Sequence, residues 1–173
     1  MIIKNALVFT LDQGFVNKDV KIKDGKFTDE NIADDTVIDA QGNYLIPGLV
    51  DIHFHGCAGH DFSDGTPEAL EAIAAYELKN GITSVCENAY AYYTKPASDQ
   101  PEGSRLCGIH LEGPFISMEK KGAQNPAYVK TPDIAMFNRL QEAAHGLVKL
   151  ITIAPETEGA EAFIRELSSK VHI

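Results

Sequence analysis

The stretch Ile46–Gly56 reads I-P-G-L-V-D-I-H-F-H-G and constrains the chain more than any other. Apolar residues surround a Pro-Gly step, and Asp51, His53 and His55 follow. On a strand, residues i and i+2 point the same way. The spacing therefore predicts two imidazoles on one face, roughly 7 Å apart along the backbone. Gly56 then permits a tight turn. Leu45–Ile52 is apolar enough to read as a strand buried on both faces, as in a parallel sheet. An H-x-H triplet alone is weak evidence for a metal site. At the end of a buried strand it becomes a ready ligand pair, because neutral imidazole is the commonest protein ligand for zinc and similar ions.

The flanking sequence has two textures. Residues 1–45 read as short strands: Ile2–Thr10, a run within Gly14–Lys23, then Lys26-Phe27 across an Asp24-Gly25 hairpin signal, and Thr36–Ala40 before a turn at Gln41-Gly42-Asn43. Such a unit is thin for an independent core. From residue 46 onward, strands alternate with helices. Thr66-Pro67-Glu68 opens a helix to about Lys79, with Leu70, Ile73, Ala74 and Leu78 at helical spacing. Asn80-Gly81 stops it, and Ile82–Cys86 is the next strand. Glu87–Tyr93 has helical composition yet follows with no loop, whereas such connections normally take ~2–6 residues.

Leu106–Leu111 is a further buried strand, and His110 and Glu112 at its end share a face. Thr131-Pro132-Asp133 caps a helix through about Ala144, and Val148–Ile153 is a strand. Glu158–Ser168 is helical, and Val171-His172-Ile173 opens another strand. Strands that each end in polar groups, separated by helices, form the pattern of a (β/α) barrel, whose sites lie at the strands' C-terminal ends. About four such strands are present where a closed barrel needs eight. The expected fold is thus α/β: an incomplete TIM-type barrel over residues 46–173, preceded by a small β-sandwich-like unit over residues 1–45.

Composition narrows the partners. The net charge is −10 and no basic patch occurs, so no nucleic-acid partner is expected. Lys120-Lys121-Gly122 is the one compact positive candidate for an anionic substrate. No apolar run approaches a membrane span, and the N-terminus shows no secretory pattern. Cys57, Cys86 and Cys107 are odd in number and unpatterned. A reducing, cytoplasmic setting suits them better than a disulfide framework.

Five stretches together resemble one family. They are Ile46–Gly56, Asn80-Gly81-Ile82-Thr83-Ser84, His110-Leu111-Glu112-Gly113-Pro114-Phe115, Lys120-Lys121-Gly122-Ala123-Gln124-Asn125-Pro126 and Ile153-Ala154-Pro155-Glu156. They look like the N-acetylglucosamine-6-phosphate deacetylase family of the amidohydrolase superfamily, across almost the whole chain. The H-L-E-G-P and K-G-A-x-N stretches carry the specificity; H-x-H alone indicates the superfamily.

The resemblance implies hydrolysis of the N-acetyl amide of a phosphorylated amino sugar, with a divalent metal as cofactor: zinc first, iron or another ion as alternatives, one or two ions per site. It makes Glu112 the best-placed metal ligand and gives His53 and His55 a second ion in binuclear members. It places Ala123 and Gln124 against the substrate; family members often carry histidine where Gln124 stands. The family's further ligand histidines, its general-base aspartate and its phosphate-binding arginine match no position in residues 1–173. A family segment between Cys86 and Glu87 is absent as well. These residues alone are therefore expected to bind metal without turnover. The family tends to form homodimers.

Three other readings share the same residues. A different amidohydrolase would use His53 and His55 without the Glu112 context. A non-catalytic chain would bind metal only. An ordinary α/β protein would use His53, His55, His110 and Glu112 as a hydrogen-bonded polar layer.

Overall fold

A computed structural model describes residues 1–33, 36–88 and 103–173, which divide into two compact units, Met1–Pro47 and Gly48–Ile173. In the first unit, β1 (Ile2–Thr10) pairs antiparallel with β2 (Gly14–Lys23), and β2 with β3 (Lys26–Phe27). Asp24 and Gly25 both take positive φ, 51° and 71°. That is the conformation a two-residue hairpin with the sheet's twist requires. On the other side of β1, β4 (Val37–Asp39) and β5 (Tyr44–Leu45) both run parallel to it. Extra residues at the Gln41-Gly42 turn bulge out between these pairings. Asn5 holds the bulge: its Nδ2 donates to Asp39 Oδ1 at 2.9 Å, and its carbonyl accepts from Gly42 N at 2.8 Å.

The expected sandwich-like arrangement does not appear in this unit. A sandwich needs two facing sheets, and the described residues here form one. Its aromatic residues Phe9, Phe15 and Tyr44 stack edge to face, 5.5 and 4.7 Å apart, and stay largely exposed.

The second unit begins with β6 (Leu49–Asp51), a stretch outside regular secondary structure over residues 52–55, and a short hairpin of β7 (Gly56–Cys57) and β8 (His60–Asp61). Then come α1 (Pro67–Lys79), β9 (Ile82–Asn88), β10 (Arg105–Glu112), α2 (Ile134–Ala143), β11 (Val148–Thr152) and α3 (Ala160–Leu167). The sheet order is β6-β9-β10-β11, all parallel, and His172 bridges to Leu150 in the same sense. Each strand therefore lies beside its predecessor, with no reversal of direction along the sheet. Polar caps start α1 and α2 as the sequence predicts, whereas α3 starts at Gly159 with no side-chain cap. Thr66 Oγ1 accepts from Ala69 N at 3.2 Å, and Asp133 Oδ1 from Met136 N at 3.0 Å.

The core of this unit centres on Phe115, Phe137 and Phe163, whose rings meet edge to face at 5.1 and 5.8 Å. Ile109 and Leu111 of β10 belong to it, as do Val148 and Ile151 of β11. Among the described residues, no helix is long and apolar enough to cross a membrane.

Three sequence expectations are corrected. Leu45–Ile52 is not a strand buried on both faces: β6 has three residues, and Leu49 and Val50 are 51% and 61% exposed. Among the described residues β6 pairs with β9 alone, so one flank of it lacks a strand. In α1, Leu78 is exposed and Glu77 is buried. At ~100° per residue, position 77 returns to within about 20° of Leu70, whereas 78 overshoots by about 80°. Finally, Glu87 and Asn88 extend β9, opposite Ile109 and His110, where pairing overrides helical composition. The rest of that stretch, including Tyr90, Tyr92 and Tyr93, lies outside the described residues.

Phe163 touches both Phe115 and Phe137. Phe163→Ala is expected to cost about 3–5 kcal/mol, read as a lower urea midpoint with an unchanged slope. A loss below about 1 kcal/mol would show that this ring is not central.

Candidate metal centre

The two histidines stand just past β6, in the stretch outside regular secondary structure, rather than within a strand. Local contacts fix that stretch at both ends. Asp51 Oδ1 accepts from His53 N at 2.9 Å. The His55 carbonyl accepts from Phe62 N at 2.9 Å, and the Phe62 ring is fully buried in the core. Gly56 lets the chain turn at once: any Cβ there would collide with the backbone of His60 and Asp61. The imidazoles consequently stay together, ring centroids 5.4 Å apart. His60 itself is exposed on β8 and joins no cluster.

Strand β10 supplies the carboxylate. Its side chains alternate, Ile109 and Leu111 entering the core while His110 and Glu112 point to the opposite face. Glu112 Oε2 lies 3.4 Å from His55 Nε2. Gln124 Nε2 donates to the same oxygen at 3.1 Å. Gln124 is held by a turn in which its own N–H donates to the Lys121 carbonyl at 3.1 Å. Ala123 is exposed beside it, and Lys120 is exposed further back in the same connection.

His53, His55 and Glu112 each offer one ligand atom, and these atoms lie within 4.8 Å of one another. Two imidazoles and a carboxylate suit a borderline cation such as zinc, and three protein ligands leave a coordination position open. The donor set therefore fits a divalent metal.

Two residues beyond the expected ligands join the cluster. His110 is buried; its Nδ1 lies 3.1 Å from His53 Nδ1 and its Nε2 2.9 Å from Thr152 Oγ1. Burial first, and then the neighbouring His53, push its pKa below the ordinary 6.5, against the Ile52 carbonyl and Glu112, which act the other way. The neutral imidazole is thereby favoured. In sequence, the place of His110 on the Glu112 face was visible. Thr152 gave only its position at the end of β11, and the bond from Asp51 to the His53 backbone gave no signal.

The chain belongs to the amidohydrolase family, whose model matches residues 44–171. It is 30% identical over 190 residues to an N-acetylglucosamine-6-phosphate deacetylase of Lysinibacillus sphaericus, a match covering 97% of this chain and 47% of that protein. The solved structure of the Pasteurella multocida N-acetylglucosamine-6-phosphate deacetylase superposes with a TM-score of 0.78 at 25% identity, over 99% of this chain and 49% of that one. A Mycobacterium smegmatis variant, solved in complex with N-acetyl-D-glucosamine-6-phosphate, gives 0.75 at 27%, over 100% and 48%. The chain spans about half the length of the curated relatives it matches.

Asp61, in the hairpin beside the histidines, offers a pH test. The Ser63 hydroxyl bonded to it lowers its pKa from the ordinary 3.8, against partial burial. A lowered folded pKa means that stability is present above the unfolded value and is lost as pH falls through the folded one. Asp61→Asn keeps the acceptor for Ser63 N but removes the charge. Its stability deficit in urea is expected at pH 7, should persist down to the ordinary 3.8 and should close as pH falls through the lower folded value. A deficit that widens on acidification would contradict this.

Proposed function

We propose that this chain is part of a metal-dependent amide hydrolase that deacetylates N-acetylglucosamine 6-phosphate, giving glucosamine 6-phosphate and acetate. The observation that carries the reading is the convergence of His53, His55 and Glu112 beyond the C-terminal ends of parallel strands. Family membership and the deacetylases among its relatives select the substrate. The sequential parallel order β6-β9-β10-β11 supports reading the sheet as an arc of a TIM-type barrel, where that end carries the chemistry.

In this reading His53, His55 and Glu112 hold a divalent ion, zinc first. When bound, the ion polarises the amide carbonyl and lowers the pKa of a bound water. Gln124 steadies the Glu112 carboxylate through its amide and, with Ala123, faces the sugar. An amide at position 124 keeps a hydrogen bond where a histidine could also carry charge. We further propose a cytoplasmic setting, which three cysteines of odd number and no disulfide-type spacing suit, and a homodimer.

The test begins with metal. The purified protein, dialysed against zinc and freed of excess, is expected to retain at least one ion per chain by elemental analysis. Glu112→Gln should weaken retention by more than the roughly 10–100-fold that loss of an outer partner alone costs. Acetate release from N-acetylglucosamine 6-phosphate is expected once the polypeptide also carries the family's general-base aspartate, and not from residues 1–173 alone. Absence of zinc binding, or binding indifferent to Glu112, overturns the reading.

A further inference from the structure

The pair His53–His110 brings two Nδ1 atoms to 3.1 Å. Two identical acceptor-or-donor atoms at that distance need one proton between them, so the rings must adopt opposite roles. One arrangement has His53 Nδ1–H donating. His53 Nε2 then keeps its lone pair, and His110, accepting at Nδ1, carries its proton on Nε2 and donates to Thr152 Oγ1 at 2.9 Å. The reverse arrangement has His110 Nδ1–H donating. It forces the proton of neutral His53 onto Nε2 and leaves no lone pair there. Because His53 Nδ1 is already engaged, Nε2 is the atom left for a ligand bond. Only the first arrangement serves it, and in it the Ile52 carbonyl competes with Thr152 for the one His110 proton.

We propose that His110 is a positioning residue for the metal centre: it accepts from His53 Nδ1–H and donates to Thr152, which holds His53 in the tautomer whose Nε2 can bind a divalent cation. The inference rests on the reading of His53 as a ligand. Metal-bound histidines almost always donate their second nitrogen to an outer partner, most often a carboxylate or a carbonyl. Here the partner is an imidazole, 7% exposed and fixed on β10 beside the core residues Ile109 and Leu111. The same strand thus places the Glu112 ligand and, two residues earlier on the same face, the group that orients the His53 ligand. Thr152 completes the line from β11, the neighbouring strand in register with Glu112.

Two measurements test this. In the zinc-loaded protein, long-range ¹H–¹⁵N spectra of the imidazoles should show His110 as the Nε2–H tautomer and His53 protonated at Nδ1. An Nδ1–H His110 overturns the proposal with no substitution needed. Zinc affinity is then read by competition with a chromophoric chelator, together with the visible spectrum of the cobalt-substituted protein. His110→Phe keeps the ring volume and removes both nitrogens. It should weaken zinc by roughly 10–100-fold and alter the cobalt bands. His110→Asn, which can return an acceptor near the Nδ1 position, should recover most of that loss. Unchanged affinity and cobalt bands in a folded His110→Phe protein overturn the positioning role alone. Failure of the unaltered protein to bind zinc overturns the metal-centre reading and this role with it.

Discussion

The carboxylate half of the candidate site depends on the two-residue alternation of β10. Ile109 and Leu111 enter the phenylalanine-centred core, and that burial fixes which way the intervening side chains point. A slip of one residue would bury His110 and Glu112 among Phe115, Phe137 and Phe163 and expose the aliphatic pair. The cost of an unpaired buried carboxylate makes that register untenable. The core therefore sets the position of the polar face, and parallel pairing with β9 and β11 sets its depth.

The other half of the cluster is placed differently. His53 and His55 are not held by a sheet ladder, since they stand past the end of β6. Their segment is pinned by a carboxylate cap from Asp51 and by the buried Phe62. A rigid strand end thus faces a short tethered stretch. A metal centre needs its ligands held in place by their supports, and here the two halves have different ones.

Sequence reading found the parts that depend on local chemistry. The Asp24-Gly25 hairpin, the Thr66 and Asp133 caps and the polar strand ends all follow from residue type and spacing. It misjudged features set by distant neighbours. The apolar run at β6 suggested burial, but burial depends on what pairs and packs alongside, and Leu49 and Val50 stay exposed. Glu77 and Leu78 differ by one position in the helix, and the small phase error between them decided which was buried. Of the candidate site, His53, His55 and Glu112 were legible as ligand types at strand ends. The contact between His53 and His110 spans 57 positions in sequence, and no periodicity encodes it.

The hydrogen bond from Phe62 N to the His55 carbonyl has a thermodynamic consequence. It ties a prospective ligand segment to a residue fully inside the core. Unfolding would scatter the three ligand atoms, so an ion held by them binds the folded state alone. Each tenfold rise in free ion above the dissociation constant would then add about 1.4 kcal/mol to the stability of the fold. The same linkage runs in reverse: loosening the packing around Phe62 would lower the affinity for the ion, although that ring never touches it. Core and cation would act as two ligands of one conformational equilibrium.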